Sequence, residues 1–105
     1  MRITVSHNRS KAEVIQAIDS SFQDLFAKAA QLPVNVTVQQ RTWQGGTLTF
    51  ALTARYGIIS TPIKGTVEVT DHALTLDVDL GLFSRFIPEK AARDAISDRI
   101  KGLLK

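Results

Sequence analysis

Apolar and polar residues alternate one by one in some stretches of this chain and recur every third or fourth residue in others. Ile3 and Val5 alternate with Arg2, Thr4 and Ser6, which predicts a short strand with one buried face. Ser10-Lys11-Ala12-Glu13 then forms a capping box, in which a serine and the glutamate three residues on satisfy backbone donors at a helix start. The helix it opens carries Val14, Ile15, Ile18, Phe22, Leu25, Phe26, Ala29 and Ala30 on one stripe, with Glu13, Gln16, Asp19, Gln23 and Lys28 on the opposite face. Pro33 ends it by about Gln31. Four alternating runs follow, marked by Val34, Val36 and Val38; by Leu48, Phe50 and Leu52; by Ile63, Val67 and Val69; and by Leu74, Leu76, Val78 and Leu80. Gln44-Gly45-Gly46 reads as a hairpin turn and Asp71-His72 as a tight turn, while Gly57 breaks the second of these runs. Pro62 suits an edge or a bulge and argues against a central paired position. Pro88-Glu89 starts a last helix with Ala92, Ala95, Ile96, Ile100, Leu103 and Leu104 on its apolar stripe.

The predicted order is β-α-β-β-β-β-α. Short connections make the strands antiparallel neighbours, giving an α+β fold with a mostly antiparallel sheet and two helices packed on one face. Phe22 and Leu76 belong to the core of this arrangement, and Thr49 and Asp77 face water. The uncovered face is rich in threonine (Thr37, Thr47, Thr49, Thr53, Thr66, Thr70 and Thr75), which tolerates a solvated sheet surface.

Composition narrows the function classes. The 105 residues make one domain, residues 1–105, with ordinary apolar (44%) and charged (22%) fractions. Zero cysteines exclude disulfides and thiolate metal sites and fit a reducing cytoplasm. The polar turn at Ser6 argues against a signal peptide, and no apolar run is long enough for a transmembrane segment. The net charge of +3 is spread along the chain, without the basic stripe of a specific nucleic-acid binder.

Candidate chemistry is sparse. His7 reads as a loop or cap residue and His72 as a turn residue; without a spaced third ligand they predict no metal site. Asp77 and Asp79 share a strand face and suit cross-strand pairing with Lys64 or Arg55 better than acid–base work. Nucleophile-elbow and phosphate-loop patterns are absent, so no catalytic residue and no cofactor is expected. The lone Trp43 reads as hairpin-end packing. Two segments, Tyr56 to Ile63 and Leu82 to Ile87, carry more apolar residues than the sheet pattern needs. Either they close the ends of the core or they form an exposed contact surface made of Ile58, Ile59, Phe83, Arg85, Phe86 and Ile87.

The strand ending in His7, the Ser-led first helix, Trp43 followed by Gly46-Thr47-Leu48-Thr49-Phe50, Gly65-Thr66-Val67-Glu68-Val69, Leu74 through Gly81 and the closing helix near Pro88 together resemble the polyhydroxyalkanoic acid system proteins. The resemblance covers nearly the whole chain. It implies a part in polyhydroxyalkanoate synthesis and use, in some members at the storage-granule surface, and it carries over no catalytic residues. The expectation that follows is a non-enzymatic accessory or interaction protein, cytoplasmic and at the granule surface, with a protein or the polyester granule surface as partner, or a second copy in a homodimer. The element order is also similar to a trimmed helix-grip fold, which implies an alternative: a small carrier of an apolar ligand, held in a void lined by Phe22, Phe26, Phe50 and Leu76. A third reading, a cyclase or hydrolase, would require a deep pocket holding His7, Asp77 or Asp79.

Overall fold

A computed structural model describes residues 1–29, 35–81, 85 and 88–104, the side chains of 26–29 excepted. The elements are β1 (Arg2–Ser6), α1 (Lys11–Ala29), β2 (Asn35–Gln44), β3 (Thr47–Tyr56), β4 (Ile59–Val69), β5 (Ala73–Asp79) and α2 (Glu89–Leu103), in the expected order. The strands form one five-stranded sheet, β1-β5-β4-β3-β2, with every neighbouring pair antiparallel. The predicted end of α1 near Gln31 and the strand residue Val34 lie outside the described residues.

The capping box forms as the sequence predicts. The Ser10 hydroxyl accepts from the Glu13 amide at 3.2 Å, and the Ser10 hydroxyl and amide donate to the Glu13 carboxylate at 3.0 and 3.4 Å. These bonds, with the nearby Arg9 guanidinium, hold the Glu13 carboxyl below its ordinary value. Arg9 also donates from Nε to the Leu104 carbonyl at 3.1 Å, tying the entry of α1 to the last turn of α2. Pro88 occupies the position just before the first turn of α2, where its missing N–H costs no bond.

Both helices lie on one face of the sheet. Val14, Ile18, Phe22 and Leu25 of α1 and Ala92, Ile96 and Ile100 of α2 are buried against Ile3, Val5, Leu48, Phe50, Leu52, Ile63, Val67, Leu74, Leu76 and Val78. Phe22 and Phe50 meet edge to face with centroids 4.9 Å apart. Phe50 lies opposite Gly65 in β4, where a β-carbon would come within 2.7 Å of the ring's Cζ and would overlap the Asp77 carbonyl oxygen; only glycine fits under that ring. Thr49 and Asp77 are exposed, as expected of the open face.

Two local expectations change. The alternation of β2 shifts at a bulge between Val38 and Gln40, where the extra residue reverses the faces. Val36 and Val38 face the helices before it, and Arg41 and Trp43 face them after it, opposite Phe50 and Leu48. Gly57 ends the run as read, in the two-residue loop Gly57-Ile58, but the strand marked from Ile63 already begins at Ile59, so the segment around the loop is paired strand. Pro62 is accommodated because β5 pairs with β4 no farther than Lys64, so Pro62 has a strand on one side only.

Candidate functional site

The last five residues of β4 before that limit, Ile59 to Ile63, and their partners in β3 project roughly 16 Å past the end of β5. Together with the start of β2 they form an arm whose tip is the Gly57-Ile58 loop. Gly57 has φ +61°, and glycine in the first place of a two-residue loop suits the twist of a hairpin. Arg55 donates from Nε to the Gly57 carbonyl at 3.2 Å and fixes the loop.

Ile58 stands at this tip 98% exposed, and Tyr56 beside it is 39% exposed; they are the exposed large hydrophobics among the described residues. A tight hairpin loop favours Gly, Asn, Asp or Ser, so the turn itself has no use for a β-branched apolar side chain. Of the other expected contact residues, Ile59 is half-buried and packs on the core, and Arg85 is exposed. Phe83, Phe86 and Ile87 lie outside the described residues. Gly81, just before the second segment, abuts Thr61 and the Pro62 carbonyl on the flank of the arm.

The remaining candidates resolve into structural roles. His7, expected in a loop or cap, is buried: Nδ1 accepts the Arg9 amide at 3.2 Å, which leaves the proton on Nε2 to donate to the Thr70 carbonyl at 2.9 Å. It joins the end of β1 to the β4–β5 turn. Asp77 lies opposite Arg2 and Thr66, and Asp79 opposite Lys64, but among the described residues none of these closes an ion pair, and Arg55 lies on the arm away from both. Asp79 instead accepts the Gly81 amide at 2.9 Å. No group of three ligating side chains that could hold a metal occurs among the described residues.

Two surface grooves border the described residues. One, of about 380 Å³, lies between α1 and α2 and is lined by Asp24, Leu25, Asp98 and Arg99 among others. The other, of about 310 Å³, lies beside Lys11, Gly46 and Glu68. Neither contains His7, Asp77 or Asp79. Of the four residues expected around a ligand void, Phe22, Phe50 and Leu76 are buried in the core, with Phe22 and Phe50 edge to face, and the side chain of Phe26 lies outside the described residues.

One cluster escaped the sequence pattern. Asp19, expected on the outer face of α1, accepts from Trp43 Nε1 at 3.0 Å and lies 3.5 Å from Arg41 Nε. Gln23, from the same face, donates to the Val36 carbonyl at 3.1 Å. These side chains fasten the bulged edge strand to the helix. The signal in the sequence was the parity change from Val36 and Val38 to Trp43.

The fold thus defines a two-layer α+β protein in which, among the described residues, Ile58 and Tyr56 at the arm tip are the exposed large hydrophobic side chains. The chain belongs to the polyhydroxyalkanoic acid system family: the family described as "Putative polyhydroxyalkanoic acid system protein" matches residues 1–105, the whole chain. No curated protein and no solved structure matches it. Among the described residues no helix is long and apolar enough to cross a membrane.

Proposed function

We propose that this chain is a non-enzymatic accessory protein of the polyhydroxyalkanoate system that docks through its arm tip on the surface of the storage granule. The observation that carries this reading is the nearly full exposure of Ile58 on a loop that Arg55 holds in place. An isoleucine moved from water into an apolar surface contributes about 1.5–3 kcal/mol, and Tyr56 beside it adds area, so the tip suffices for reversible attachment. Family membership supplies the polyester context.

The test is localisation in granule-forming cells. The wild-type chain fused to a fluorescent protein should ring the granules, and the Ile58→Ser fusion should become diffuse at equal abundance. A diffuse wild-type fusion, or an Ile58→Ser fusion that still rings the granules, contradicts the proposal.

A further inference from the structure

We infer that the arm tip recognises an anionic phospholipid surface, with Ile58 and Tyr56 entering the apolar layer and Arg55 meeting the head groups. The inference rests on the docking role proposed above and assigns its chemistry. Between Asp24 and Glu68 the sequence contains no Asp or Glu, while Lys28, Arg41, Arg55 and Lys64 lie in that interval. By register the interval supplies all of β2, all of β3 and β4 as far as Val67, so the arm carries cations and no acid. The carboxylates lie on the helices, on β5, at Glu68 and in the β4–β5 turn.

The cations are not equivalent. Arg41 is held by Asp19, and Lys64 lies opposite Asp79, both back from the loop. Arg55 directs one nitrogen into the loop and has no ion-pair partner among the described residues. Arg85 is exposed. An apolar tip with the Arg55 guanidinium beside it suits an interface in which side chains sink about 5–10 Å into the boundary of head groups and acyl chains, while the negative surface attracts the guanidinium. A nucleic acid would need a row of unpaired cations and has no use for an apolar tip.

The experiment is co-sedimentation of the full chain with vesicles of phosphatidylcholine alone, with vesicles containing phosphatidylglycerol, and with bare polyhydroxybutyrate particles, with duplex DNA as competitor. Binding should require phosphatidylglycerol and weaken as salt rises. Ile58→Ser should weaken it by about tenfold to hundredfold, and Arg55→Gln by about fivefold. Arg55→Lys should restore most of the binding although it loses the bond to Gly57. Arg93→Gln, on α2 and paired with Glu89, serves as the charge control and should change it less than about twofold. Unchanged melting and Trp43 emission confirm that each variant is folded. Equal binding to neutral and anionic vesicles, indifference to Arg55→Gln, or displacement by DNA overturns the inference. Binding to bare polyester without binding to vesicles overturns it while leaving granule docking intact. Failure on both surfaces overturns the two together.

Discussion

Gly65→Ala tests the packing at the centre of the sheet. In isolation the change should help, since alanine in a strand loses less chain entropy on folding, by about 0.5–1 kcal/mol. The structure predicts the opposite. The new methyl group would lie 2.7 Å from Phe50 Cζ and would overlap the Asp77 carbonyl oxygen. The ring cannot swing away, because Phe22 meets it edge-on at 4.9 Å and both are buried. Because part of the clash is with a backbone oxygen, the overpacking falls in the upper part of the usual range, about 2–3 kcal/mol, leaving a net loss of about 1–2.5 kcal/mol. In a domain of this size that lowers the melting temperature by roughly 4–20 °C. Urea unfolding followed through Trp43, the single tryptophan, measures it directly. Repeating the change in a Phe50→Leu background should reduce its cost by at least about 0.5 kcal/mol, because part of the clash is with the ring. A Gly65→Ala protein as stable as wild type, or the same cost in both backgrounds, would refute the assigned register between β3 and β4.

Three further outcomes follow from the same structure. Phe22→Ala should cost about 3–5 kcal/mol and Thr49→Ala under about 1 kcal/mol in denaturant melts, and equal costs would overturn the assigned faces. Ser10→Ala should cost about 1 kcal/mol. Because the Glu13 carboxyl is held below its ordinary value of 4.5, first by Ser10 and then by Arg9, its contribution is present above the unfolded value and is lost as pH falls through the folded one; wild type and Glu13→Gln should therefore converge in acid. Asp19→Ala should release Trp43, shifting its emission to the red and destabilising the β2 edge; unchanged emission would contradict the hydrogen bond.

Most of the fold was legible because the sheet has one wet face and one dry face, so period two marked each strand and the capping box marked α1. The bulge in β2 was less legible: its signal is a change of parity spread over Gln39, Gln40 and Arg41, residues that suit either face of an edge strand. Asp19 was therefore placed on the outside, although the bulge brings Trp43 and Arg41 to it. Gly57 marked the end of β3 and Pro62 an edge position, but neither showed that β4 is already paired from Ile59, because such residues report local freedom and not which neighbours a strand has. Pro62 is harmless where β5 has already ended, and that depends on tertiary register. His7 was underestimated for a similar reason, since its partners Thr70 and His72 lie far along the chain. The arm tip was legible as an apolar surplus in the segment from Tyr56 to Ile63. The sequence could not separate Ile58, which stands in water, from Ile59, which turns into the core, because a one-residue difference in a hairpin loop decides the face.

The central claim, that an exposed arm tip attaches this chain to the storage granule, is tested most directly by sedimenting purified protein with isolated granules. Wild type and Thr49→Ala should pellet alike, and Ile58→Ser should remain largely in the supernatant with an unchanged melting temperature. Equal pelleting of Ile58→Ser and wild type would contradict the claim.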